Sequence, residues 1–230
     1  VLFRSALRKD IDQRARERFT SSMRAWVLTD LAGQMQLDYE KASAETGQQH
    51  DSGEAVHQFL KDRDLFKWYS SLRCTTQELV WQSVLAAIAS DPESVEQISQ
   101  DSDPVHGGSL ALDAKVQLPD YTESMDVHLM PGNYQGSESG GAEAGVVYDN
   151  GLEVFSFGVM GKNLDDIGHS MANYTRLKWP ALNPQLIVDV GCTIGHNTLP
   201  WKQTFPDAEV HGLDIASSCL DRKSTRLNSS

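Results

Sequence analysis

No apolar run in this chain approaches the roughly 20 residues that a membrane-spanning helix needs, so a membrane-embedded role is set aside. Cysteine is scarce, and Cys74, Cys192 and Cys219 lie far apart with no CxxC spacing. That argues against a disulfide framework and a structural zinc site, and for a reducing, cytoplasmic setting. Basic residues are in the minority, 20 against 32 acidic ones, for a net charge of −12. Such a surface opposes nonspecific binding to nucleic acid or anionic membranes and favours a small-molecule acceptor over a polyanion as partner. A GxxxxGK[ST] phosphate loop is also missing, which disfavours phosphoryl transfer. A GxGxxG dinucleotide fingerprint fits poorly, because Thr193 and His196 stand where its second and third glycines belong.

The two ends read unlike the rest. VLFRS (Val1 to Ser5) and DRKSTRLNSS (Asp221 to Ser230) both back-translate to a common short-read sequencing adapter, so native sequence is expected from Ala6 to about Leu220. Both ends are left out of the fold reasoning, as appended segments are.

Between them, residues 6–100 read as helical. Phe19, Met23, Trp26, Val27 and Leu31, then Met35 and Leu37, recur at helical spacing with a polar reverse face, predicting one long helix bent near Gly33. RKDIDQRARERF, at its start, has few apolar positions and is expected to be solvated. A second stripe runs from Val56 through Leu72, interrupted at Asp62 to Asp64, and Thr76 is expected to cap a third helix through Ile88. Asp91 before Pro92 opens a short further helix. Trp68, Tyr69 and Trp81 either line an acceptor pocket or, as is commoner, belong to the core.

Residues 101–164 form a loop-rich junction, marked by Asp103-Pro104, Gly107-Gly108 and GSESGGAEAG. Within it MDVHLM alternates as a strand would, ended by Pro131 and Gly132. VVYDNGLEVFSF (Val146 to Phe157) reads as a β-hairpin, with Asn150-Gly151 supplying a type I′ turn. A helix follows over Asp165 to Trp179, with Ile167, Met171, Tyr174 and Leu177 on one stripe and Pro180 as its stop.

Residues 165–220 carry the chemistry. Leu186, Ile187, Val188 and Val190 make a β-branched run between Pro184 and Gly191, the pattern of a central parallel strand buried on both faces. Gly191 and Gly195 frame a tight loop, a helical segment runs from His196 to Thr204, and a second strand, Glu209 to Leu213, ends on Asp214. A loop of this kind turns backbone N–H groups and a positive helix end toward a ligand, and an acid at the next strand end can accept ribose hydroxyls.

The series Asp189, Gly191, Gly195 and Asp214 within DVGCTIG and the strand after it resembles the cofactor half of class I S-adenosylmethionine (SAM) dependent methyltransferases. DVHLMPG and YDNG likewise resemble stretches of uncharacterised bacterial methyltransferases. The resemblance implies an α/β fold, the start of a doubly wound Rossmann-like sheet preceded by a mainly helical region, with SAM as cofactor. It places Asp189 at the methionine amino end and passes Gly191, Cys192, Thr193 and Gly195 close beneath the cofactor. It gives the ribose to Asp214, with Ile215 next to it in the cofactor set. The helix before the first strand would pack on the sheet and help to roof the cofactor. A plainer alternative has Asp189 capping the next helix and the glycines merely allowing close packing. Thr193 departs from the commoner glycine, and a β-branched residue resists positive φ, so its peptide is expected to turn in an ordinary region. Cys192 is read as a packing residue rather than a nucleophile.

Methyl transfer is an in-line displacement helped by positioning, and a hydroxyl acceptor also needs a base. His128 is the candidate, with Asp126 on the same face of a strand to orient it; the alternative is a partly exposed histidine in a junction. Tyr134 and Tyr148 are hydrogen-bonding candidates. A noncatalytic methyltransferase-like assembly module is the competing function. Only two strands of the expected sheet precede Leu220, so the chain is expected to be inactive by itself, with the first strand partly wet unless the hairpin covers it.

Overall fold

A computed structural model describes residues 7–100, 109–113, 115–120, 122, 128–134 and 142–221. The adapter-like ends beyond residue 221 and before residue 7, together with Met125 to Val127, lie outside the described residues.

The described chain is mostly helical with one two-stranded parallel sheet. The first helix, α1 (Ile11–Trp26), runs through a π-helical turn, Val27–Leu31, into α2 (Ala32–Thr46). Asp10 caps its start by accepting from the Gln13 N–H, and Gly47 ends it at φ 68°. The single long helix is therefore present, but its irregularity falls at Val27–Leu31 and not at Gly33. Its facing also differs from expectation. Gln13, Thr20 and Arg24 are buried while Phe19 is 65% exposed. Gln13 Nε2 donates to the Ser83 carbonyl at 2.6 Å, Glu17 meets Lys9 at 3.0 Å, and the Arg24 guanidinium lies 3.7 Å over the Phe155 ring. Burial and the Arg73 charge hold Arg24 below its ordinary pKa.

Two helices follow: α3 (Gly53–Leu60) and α4 (Asp64–Ser90). The break before Asp64 falls where the polar corner was expected. Thr76, however, caps nothing: it is buried inside α4 and its hydroxyl donates to the Arg73 carbonyl. Asp91 and Pro92 open α5 (Pro92–Gln100) as the pattern requires, the Asp91 carboxylate accepting from the Ser94 and Arg8 N–H groups. Pro131–Tyr134 forms a 3-10 turn, and the described part of the expected MDVHLM strand is turn and loop instead.

The expected hairpin at Val146 to Phe157 is a helix, α6 (Ala142–Phe155). Val146, Val147 and Val154 are all buried in the core with Val80, Trp81, Val84 and Ile88 of α4. Tertiary burial thus overrides the β-branched bias. Asn150 donates its side-chain amide to the Val146 carbonyl four residues back instead of entering a turn, and Gly151 faces the Trp81 ring so closely that any Cβ would collide with it. Glycine here serves close approach, not positive φ.

The remaining elements are α7 (Asp166–Lys178), β1 (Leu186–Val190), α8 (Thr198–Thr204), β2 (Glu209–Leu213) and α9 (Ser217–Asp221). β1 and β2 pair in parallel, Leu186 opposite Glu209 through Val190 opposite Leu213, around the α8 crossover. α7 packs on α8 through Gly168, beside Asn197 and Pro200. Its apolar stripe does not roof a sheet: Ile167, Met171, Tyr174 and Leu177 are all exposed. Nor is β1 buried on both faces. Leu186, Val188 and Val190 point outward, since β2 is its one strand partner among the described residues and α6 does not cover it. No helix of the described residues is long and apolar enough to cross a membrane.

Candidate functional site

The loop between β1 and α8 reverses direction through three left-handed residues, Gly191 at φ 80°, Thr193 at φ 46° and Gly195 at φ 87°. Glycine tolerates this freely. Thr193 does not, and its positive φ corrects the expectation of an ordinary turn there. Held strain of this kind persists only where the surroundings over-determine it. Here the Thr193 N–H donates to Asp214 Oδ2 at 2.6 Å and the Thr193 hydroxyl donates to the Cys192 carbonyl at 2.8 Å. The Gly191 and Cys192 N–H groups both donate to the Leu213 carbonyl, at 2.8 and 3.1 Å, tying the loop to the end of β2.

Asp214 is therefore the loop's brace. Its second oxygen accepts the Ala216 N–H at 2.8 Å. Each carboxylate oxygen offers two lone-pair directions, so such bonds are compatible with accepting ligand hydroxyls as well. Asp189 Oδ2 accepts the hydroxyl of Thr198, the first residue of α8, at 2.5 Å, a bond between side chains and not a cap on the backbone N–H groups of the helix. Cys192 is buried as a packing residue, Ile215 is exposed beside the brace, and Ile194 enters the core formed by α4 and α6.

His128 sits on a turn in which Leu129, Gly132, Asn133 and Tyr134 all have positive φ. The turn is pinned by the Trp81 indole N–H, which donates to the His128 carbonyl at 2.6 Å, and by the Asn133 side chain, which donates to the Thr122 carbonyl. The Tyr134 hydroxyl meets His128 Nδ1 at 3.0 Å. Asp126, expected to orient this imidazole, lies outside the described residues. From Tyr134 the contacts continue to the loop: its ring centroid lies 5.9 Å from that of Tyr148, and the Tyr148 ring lies 6.2 Å from the His196 ring. Burial raises the Tyr148 pKa above the ordinary phenol value, against the opposing effect of the Thr193 side chain. His128, Tyr134, Tyr148 and His196 thus form one connected series.

Two further residues at the site had no reading in the sequence. His196 Nε2 lies 2.9 Å from Asp149 Oδ1, and both side chains are nearly sealed, the residues being 3% and 2% exposed. The available signal was YDNG, whose Tyr148 and Asp149 face the loop once the segment is helical. Trp68, Tyr69 and Trp81 do not form a pocket: Trp81 is core and Trp68 is exposed. Among the described residues no group of three or more His, Cys, Asp or Glu side chains is placed to hold a metal ion.

No family model, curated protein or solved structure matches this chain.

Proposed function

We propose that this chain carries the cofactor-binding elements of a SAM-dependent methyltransferase acting on a small-molecule acceptor. The observation that carries the reading is the left-handed Gly191, Thr193, Gly195 loop after a parallel strand, closed by the Asp214 carboxylate at the end of the next strand. Those residues fit an adenosyl group. Gly191 has no neighbour within 4 Å of where a side chain would project, which leaves room beside its backbone, and Asp214 is half-buried and within reach of hydroxyls. The cofactor, when bound, supplies an electrophilic methyl group whose transfer discharges a sulfonium. The chain's own residues hold it, by Asp214 and the loop, and His128 with Tyr134 takes the proton that a hydroxyl acceptor loses.

The test is calorimetric titration of SAM into the wild-type protein and Asp214→Ala. Loss of the carboxylate should weaken binding by roughly 1.5–3 kcal/mol, the worth of hydrogen bonds to a charged group. Equal affinity in both would remove Asp214 from the site. A second reading, a noncatalytic interaction module on the same scaffold, draws on the outward apolar side chains of β1 and α7. SAM binding without methyl transfer to any of a panel of phenols, amines and thiols would favour it.

A further inference from the structure

We infer that helix α6 positions the cofactor loop, Tyr148 and Asp149 acting as a two-point clamp on His196. The consequence for SAM affinity rests on the proposed function; the clamp itself does not.

Tyr148 and Asp149 are consecutive on α6, and both reach the same residue of the loop. The Tyr148 ring lies 6.2 Å from the His196 ring, centroid to centroid, and Asp149 lies 2.9 Å from the His196 imidazole. His196 directly follows Ile194 and Gly195, the first buried in the core and the second left-handed. On the opposite side Asp214 holds the Thr193 N–H. The loop is thus held at Thr193 from the sheet and at His196 from α6.

The platform behind the clamp is rigid. Val146 and Val147 bury the preceding turn of α6, and Gly151, one turn on, is fixed against the Trp81 ring. A carboxylate and an imidazole at this burial are costly to keep, and removing one partner leaves the other in a dry site without that bond. Apolar side chains would fill the space at lower cost if packing were the only requirement. The pair instead joins residues 47 apart in the chain and brings the helical region to the loop. Tyr148 and Asp149 are positioning residues: they act through the loop backbone.

Hydrogen exchange read by mass spectrometry on the full 230-residue chain tests this, with segment 191–199 as probe and segment 80–88 of α4 as reference. Tyr148→Leu removes the ring that packs on His196; exchange in the loop segment should rise about fivefold, the worth of one aromatic pair. Asp149→Leu should raise it by about tenfold or more, and Asp149→Asn, which keeps an acceptor for the imidazole, should restore most of the protection. Unchanged loop exchange in both Tyr148→Leu and Asp149→Leu overturns the clamp, as does an equal rise in the reference segment. SAM titration of the same samples separates the two ideas. Affinity should fall in step with loop protection, and wild-type binding matched by both variants overturns the positioning role. Where the wild type itself does not bind SAM, the exchange data alone decide the clamp.

Discussion

Val80, Val84 and Val146 of the helical region have no exposed surface, whereas Val190, at the end of β1, is 79% exposed and Leu177 of α7 is 78% exposed. The residue types are alike; their neighbours are not. α4 and α6 close on each other and on α1, so each apolar side chain between them contributes about 1.5–3 kcal/mol of burial. The β1, α8, β2 unit is joined to that body by its loop and by α9: Cys192, Ile194 and His196, with Ala216 and Cys219, are buried while the first strand shows its outer face. Loops ordinarily run over the surface and strands lie inside. The inversion here means that the shape of the candidate site depends on the helices as well as on the sheet that carries it.

The comparison would break first at Trp81. Its ring meets Gly151 and its indole N–H holds the His128 carbonyl, so Trp81→Ala should cost about 3–5 kcal/mol in urea denaturation. A cost no larger than that of Val190→Ala would show that the helical core is not the stabilising half. Gly151→Ala should follow, at about 1–3 kcal/mol, since the ring of Trp81 cannot yield without disturbing its own packing. The same denaturation series reads it, and a neutral result would mean that α6 can slide on α4.

A smaller effect separates the regions by pH. The Arg63 hydrogen bonds hold the Asp38 carboxyl below the usual carboxylate range, through contacts of 2.7 Å that tie α2 to the start of α4. A pKa depressed by folding contributes stability above the unfolded-state value and loses it as pH falls through the folded one. Asp38→Asn should therefore remove a small stabilisation that is present at neutral pH and already lost in acid, and so flatten the acid limb of a stability profile; an unaltered limb would show the pair to be inert. The smallest effect belongs to the exposed faces. Val190→Thr with Leu177→Gln should shift stability by no more than about 0.5 kcal/mol, and light scattering should show less self-association. A large loss of stability would mean that those side chains are covered.

Both strands, the pause before Asp64 and the Asp91-Pro92 helix start were legible in the sequence, because each is set by local pattern and capping chemistry. The loop was legible too, since its glycines and Asp214 sit at fixed offsets. What the sequence did not disclose depends on partners distant in the chain. VVYDNGLEVFSF carries a strong hairpin signal, yet as a helix it buries Val146, Val147 and Val154 against α4, with Gly151 close to the Trp81 ring. Gln13 and Arg24 look solvated until Ser83 and Phe155 meet them. Thr193 resists positive φ as an isolated residue and adopts it here where Asp214 holds its N–H. In each case a local preference yields to a contact that no window of neighbouring residues contains.

The π turn at Val27–Leu31 acts as a phase shifter between α1 and α2. Both Val27 and Leu31 are buried, so the wide turn sits against the core and not at a frayed end. A wide turn of this kind accommodates an extra residue without breaking the helix into two. Removing one residue there would return the segment to ordinary pitch and rotate α2 by about 100° relative to α1. Asp38 would then turn away from Arg63, although neither residue lies near the deletion. One surplus residue in mid-helix thus decides which side of α2 the rest of the molecule meets.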